Sequence, residues 1–353
     1  MSAYKDAVNR EISMQVKELS RQLPDPARQF LLHKAAGGSS ERTLLSYSQN
    51  LLNYFRYLCE NNSYFAKKRI PDITVDDLAD MTTEDASEFL VSLRTGKLST
   101  QKHYRTTLNQ FYKFLVQTDR IRKNPFEMTS ITHKEAQNIH FLDEDEQKMF
   151  MEGIENQRGL TGKQKAAAEK NQVRDTAICA IFLSTGIRVS ELVGLDLSDI
   201  DLKHHRFTVT RKGAREHTED VYMSDSAEER LLDYLDIRET YAPAPSDKAV
   251  FLTEGRLVRK DGNKERVKEP GHRISVKTVE RLVKKYVEAN VPEKAGKITP
   301  HKLRTSFAEN VLRKTGNVEL TKDLLGHRNI ASTTHYVTTT EEEKEKARNI
   351  TES

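Results

Sequence analysis

Three short stretches of this 353-residue chain combine residue types able to hold and cut a phosphodiester. In Thr299-Pro300-His301-Lys302-Leu303-Arg304, threonine as N-cap and proline at the first helical position mark a helix start. His301 and Arg304 are then three apart on one face of the opening turns, beside a helix N-terminus that favours an anion. Gly186-Ile187-Arg188-Val189-Ser190-Glu191-Leu192 lies where an apolar helix ends at a glycine and a new helical turn begins, so rigid backbone holds Arg188 on both sides. Leu324-Leu325-Gly326-His327 ends a further helix at a C′ glycine, which exposes His327 at a corner, and Tyr336 follows nine residues later. A fourth contributor, Lys212, sits in a predicted hairpin turn, with Arg211 and Arg215 as the neighbouring cations that could replace it.

Taken singly, each has an ordinary reading. Arg188 can pair with Glu191 one turn on, Arg304 can cap locally beside a solvated His301, Lys212 can be a loop lysine, and Tyr336 is one of 12 tyrosines. Together they form a chemical set. Attack on a phosphodiester puts extra negative charge on two non-bridging oxygens, which two arginine forks and one or two histidine N–H groups can hold. A lysine on a hairpin can protonate the leaving 5′-oxygen. A tyrosine attacking as phenolate keeps the bond energy as an ester, so resealing needs no ATP. The sequence has no Walker A loop and no HExxH, and its carboxylates are scattered over helix surfaces; neither metal nor cofactor is expected.

The elements that must position these groups fall into two halves. Residues 3–22 and 25–36 read as short helices broken around Pro24 and Pro26, and Gly37-Gly38 ends the second. Ser39-Ser40-Glu41 opens a longer helix with Leu44, Leu51, Phe55 and Leu58 at helical spacing, and Thr83-Glu84-Asp85 opens another that stops near Gly96. Over 99–117, Tyr104, Leu108, Phe111 and Leu115 fall on a buried face while Lys102, Arg105, Asn109 and Lys113 fall opposite. Lys97–Lys123 holds seven Lys/Arg against one acidic residue, the footprint of phosphate contact or else simply a solvated face. Periodicity is lost over 118–142, which is therefore the domain boundary.

In the second half, Asp143 caps a short helix, 156–172 reads as a polar spacer, and an apolar helix spans 173–185. Arg206–Arg211 and Glu219–Met223 suggest a β-hairpin, with Val250–Leu252 as a possible third strand. Residues 254–273, with seven Lys/Arg, four Asp/Glu and three glycines, read as an exposed loop. Helices are expected at 224–241, 275–289, 300–314, 317–325 and 340–350.

Length favours two domains. The net charge of +4 is weak evidence for a polyanion partner. Cys59 and Cys179 lie in apolar helical patterns and cannot build a disulfide framework or a four-cysteine zinc site. With a polar N-terminus and no 18-residue apolar stretch, a soluble, cytoplasmic protein is expected.

The strings TGIRVSEL, RKG, HKLR, LGH and the final tyrosine occur in an order and spacing that resemble the tyrosine recombinase (phage integrase) family over nearly the whole chain. Within it, RDTAICAIFLSTGIRVSELVGLDLSDIDLK, VTRKGAR and the spacer before them are most similar to the Xer group, of the single-recombinase type. Thr305 stands where many members have a second histidine, Tyr336-Val337-Thr338 replaces Tyr-Thr-His, and the basic loop is long. These departures bear on subfamily more than on chemistry.

The resemblance implies a mainly α fold with a small β-sheet. A helical, SAM-like core-binding domain would span 1–130, with 1–38 as a helical extension, followed by a linker at 131–142 and an α+β catalytic domain at 143–353. It also implies roles. Arg188 and Arg304 would bind the phosphate, Lys212 would be general acid, and His301 would assist proton transfer at the tyrosine. His327 would donate a hydrogen bond, Tyr336 would be the nucleophile, and Glu191 would buttress the first arginine. Lys102, Arg105 and Lys113 are the expected DNA contacts. The expected partner is double-stranded DNA with an inverted-repeat site, loaded by two protomers and synapsed as a tetramer, with helix 340–350 docking on a neighbour. The Xer resemblance suggests chromosome dimer resolution or mobile-element integration and excision. A type IB topoisomerase and a catalytically inactive DNA-binding scaffold remain the other readings.

Overall fold

Helix starts in this protein are written by short polar side chains turning back onto free backbone N–H groups. Ser40, Thr74, Thr82 and Asp143 each accept a hydrogen bond from the backbone three residues on. At the last three of these, an Asp or Glu at the third helical position returns the bond to the cap's own N–H. The computed structural model describes residues 3–93, 98–131, 140–211, 217–255, 257–259 and 266–326. The chain divides into two compact units, Met1–Ala136 and Gln137–Ser353.

The first unit is helical: α1 (Ala3–Gln22), α2 (Asp25–Ala36), α3 (Glu41–Asn61), α4 (Val75–Ala79), α5 (Thr83–Ser92) and α6 (Leu98–Gln117). Its core is strongly aromatic, with Phe30, Tyr54, Phe55, Phe89, Phe111, Tyr112 and Phe126 fully buried or nearly so. Edge-to-face pairs such as Tyr54–Phe89, at 5.0 Å between centroids, each add about 0.5–1.5 kcal/mol beyond area burial. The Tyr54 and Tyr112 hydroxyls bond each other at 2.9 Å, and burial drives both phenol pKa values up. Residues 118–131 lack helical period because they fold back onto this core. Ile121 and Phe126 are buried in it, and Asn124 Nδ2 donates to Asn109 Oδ1 at 2.7 Å.

The second unit places α8 (Gly162–Thr185) at its centre, packed by α7 (Glu144–Glu155), α10 (Asp225–Ile237) and α12 (Pro300–Thr315). The segment read as a polar spacer, 156–172, is therefore mostly helix. Alanine, lysine, glutamine and glutamate are strong helix formers even without an apolar face, and Gln164 bonds back to the N–H of Thr161. After α9 (Val189–Val193), strands β1 (Ile200–Asp201), β2 (Arg206–Arg211) and β3 (His217–Tyr222) form an antiparallel sheet in that order. The hairpin is as expected, but its third strand is β1, not Val250–Leu252. Instead β4 (Leu252–Thr253) pairs with β7 (His272–Arg273) in a separate ladder.

Between these two strands, β5 (Leu257–Arg259) and β6 (Arg266–Lys268) pair with each other, so 254–273 is not simply a loop. Its ends are fixed by close backbone approach: a Cβ at Gly255 would lie 1.7 Å from the Glu269 carbonyl oxygen. Finally come α11 (Val276–Asn290), α12 and α13 (Val318–Leu325). The expected helix at 340–350 lies outside the described residues. No described helix is long and apolar enough to cross a membrane.

Candidate active site

Two helices end on glycines in the left-handed region, and their C-termini converge on one arginine. Gly186 (φ 59°) closes α8, and Gly326 (φ 59°) closes α13. Arg304, in the second turn of α12, is 1% exposed. Its Nη1 donates to the Gly186 carbonyl at 2.5 Å, and its Nη2 donates to the Leu325 carbonyl. Burying a guanidinium is costly unless acceptors meet it. Here the acceptors are helix C-terminal carbonyls, whose partial negative charge suits a cation. The α12 start is as the sequence predicts, with Thr299 as N-cap and Pro300 at the first helical position.

Gly186 leads directly into Arg188, which stands as N-cap of α9 and is 38% exposed at its side chain. Its Nη1 donates to Glu191 Oε1 at 2.7 Å, and its backbone N–H donates to Glu191 Oε2 at 3.0 Å. The local pairing that the spacing allows is thus formed, while the exposed side of the guanidinium stays open. His301, exposed on the first turn of α12, is held below its ordinary pKa of 6.5. Partial desolvation is the largest cause, followed by the positive charges of Arg304, Lys302 and Arg188. Arg188, His301 and Arg304 therefore belong to one electropositive cluster.

Arg211 ends β2, as the strand pattern over Arg206–Arg211 predicts, and its side chain is buried rather than displayed beside the turn. Phe207, Val209 and Arg211 occupy alternate positions of β2 and all face inward, so Arg211 is 2% exposed. Its guanidinium covers Gly326 so closely that a Cβ there would lie 1.1 Å from Nη1. Its Nη1 is 2.9 Å from Glu219 Oε1, and its Nε is 3.9 Å from Glu191 Oε1. A signal for this exists in the sequence: an arginine in phase with two apolar strand residues. Lys212, His327 and Tyr336 lie outside the described residues.

In the other unit, Lys102 and Lys113 are exposed on α6, where Phe111, Tyr112 and Leu115 are buried. Arg105 is half-buried, and its Nε donates to the Thr129 carbonyl at 2.5 Å and to Thr129 Oγ1 at 3.1 Å. Part of its donor capacity thus holds the 126–129 segment.

Residues 140–343 match the phage integrase family. The tyrosine recombinase XerS of Streptococcus uberis is 28% identical, over 96% of this chain and 99% of that protein. The XerS protein of Streptococcus gordonii is 29% identical, over 97% and 99%. Among solved structures, the XerH site-specific recombinase bound to palindromic difH substrate in a post-cleavage complex aligns with a TM-score of 0.65 and 20% identity. That alignment covers 91% of this chain and 83% of that one. A Tn1549 transposon integrase in complex with a circular intermediate DNA aligns with a TM-score of 0.63 and 18% identity, over 92% and 98%. These structures share its fold.

Proposed function

The chain belongs to the phage integrase family, and from that premise we propose a site-specific tyrosine recombinase that cuts and rejoins DNA through a 3′-phosphotyrosyl bond at Tyr336. The observation that carries this reading is Arg304 anchored between two helix C-termini beside Arg188 and His301. It is a rigid cationic seat for a phosphate. Arg188 and Arg304 hold the non-bridging oxygens, Lys212 protonates the leaving 5′-oxygen, neutral His301 takes the Tyr336 proton, and His327 donates a further hydrogen bond. Glu191 orients Arg188 until the phosphate engages it. The unit before about residue 130 clamps the duplex, with Lys102 and Lys113 on phosphates, and Arg105 supports that surface through Thr129.

The partner is double-stranded DNA carrying an inverted-repeat site, loaded by two protomers and synapsed as a tetramer. In support, XerH and the Tn1549 integrase, which share the fold, are DNA-bound in their structures. The near-full-length similarity to XerS supports a cytoplasmic role of the Xer type, chromosome dimer resolution, over the alternative of mobile-element integration or excision. A duplex selected by the protein from a randomised inverted-repeat pool supplies the site. Two copies on one plasmid should yield site-dependent excised or inverted products. Relaxation of supercoils without exchange would indicate a type IB topoisomerase, and binding without cleavage an inactive scaffold.

A further inference from the structure

The carboxylate of Glu191 has two claimants. Oε1 is held by Arg188 at 2.7 Å, and the Nε of Arg211 waits 3.9 Å from the same oxygen. All three Arg211 nitrogens are shut off from water, and none makes a hydrogen bond among the described residues. The Glu219 contact at 2.9 Å is an ion pair without hydrogen-bond alignment. A buried guanidinium with unused donors is destabilising. A packed apolar side chain in phase with Phe207 and Val209 would avoid that penalty. Gly326 is also kept bare so that the guanidinium can lie over it.

Resting on the recombinase reading above, we propose that Arg211 is a positioning residue for strand cleavage. When a phosphate draws Arg188 off, Arg211 takes over Glu191 and locks β2 against α9. Lys212 is the next residue in the sequence, so the carboxylate hand-over sets the general acid only once DNA is seated. The two arginines need not share Glu191 in either state. Before binding, Arg188 occupies the oxygen and Arg211 is unsatisfied; afterwards the phosphate satisfies Arg188 and the carboxylate satisfies Arg211.

The test compares wild type, Arg211→Met, Arg211→Lys, Glu191→Gln and Arg211→Met/Glu191→Gln as full-length proteins on the selected nicked duplex. Each duplex is prepared with oxygen or with sulfur at the 5′-bridging position of the scissile phosphate. Arg211→Met should bind within about two-fold of wild type and cleave the oxygen substrate about 10–100-fold more slowly, part of the loss expected on removing a general acid. It should recover most of that rate on the sulfur substrate, whose leaving group needs no acid. Its thermal midpoint should be unchanged or raised, because an unsatisfied buried charge is gone. Adding Glu191→Gln should cost little more, since the two residues act as one unit. Arg211→Lys keeps the charge and guards against a folding failure; it should show the same recovery from a smaller defect.

Equal defects on both substrates, additive effects in the double variant, or wild-type cleavage by Arg211→Met would each overturn the hand-over. Failure of the recombinase reading looks different: wild type itself would then form no adduct on either duplex.

Discussion

Arg304 and His301 are a turn apart on one helix, yet burial sorts them into different tasks. Arg304 is sealed between two carbonyls and cannot move far without breaking both helix ends. His301 is exposed, and its lowered pKa keeps the ring neutral at neutral pH. Only the neutral ring can accept a proton. Cleavage at limiting DNA, where the rate reports the free protein, should therefore be flat from about pH 7 upward and fall only as pH drops through a value below the ordinary histidine range of about 6.5. Single-turnover rates between about pH 5 and 8 measure this, and a rate still climbing above pH 7 would assign the proton to another group. On the proposed reading, the positive charge needed at the phosphate comes from Arg188, Arg304, Lys212 and the two histidines, His301 and His327. Cleavage in EDTA should therefore match that in magnesium; loss on chelation with recovery on adding magnesium would reveal a metal step. At this scale the sequence points to Arg188, His301 and Arg304 and places Arg211 at a strand end, and the alternation of that strand, which sets the way its side chain faces, supplies the rest.

Among the elements, the glycine stops matter as much as the cationic side chains. A Cβ at Gly186 would meet the Phe307 ring at 2.4 Å, whereas at Gly296 (φ 70°) it would meet nothing within 4 Å. Gly296→Ala should lose about 1–2 kcal/mol, the backbone penalty of the left-handed region alone. Gly186→Ala should lose clearly more, because Phe307 must move too. Denaturant midpoints compare the two, and equal losses would mean that the α8 end is not packed as described. Capping residues make most helix starts legible, including Ser40, Asp143 and Thr299-Pro300. Two kinds of element stay hidden. The first half of α8 has helix-forming residues but no apolar stripe, and the pairing of β4 with β7 joins residues about twenty apart that no local pattern links. The segment 118–131 shows a third reason: its burial of Ile121 and Phe126 is tertiary and has no period to read.

For the whole molecule, a two-unit chain invites a clamp in which the helical unit supplies affinity and the other supplies chemistry. Reversing Lys102 and Lys113 to glutamate should weaken binding to all duplex sequences. It should also flatten the salt dependence by about one unit of slope for each phosphate that is no longer neutralised. Arg105→Glu would also break the Thr129 bonds and is the poorer probe. Fluorescence anisotropy across a salt series reads both quantities, and unchanged affinity in the double reversal would remove α6 from the DNA surface. Deleting 340–353 should impair cooperative loading or coordinated exchange while leaving the thermal midpoint in place; a truncated protein that recombines like the full chain would contradict docking through that segment. The central claim, covalent cleavage by Tyr336, is tested most directly on a nicked duplex carrying the selected site, resolved on a denaturing gel. Wild type should give a protein–DNA band linked through the 3′-phosphate with a free 5′-hydroxyl, and Tyr336→Phe should bind the same duplex but give no such band. An adduct formed by Tyr336→Phe would contradict the account.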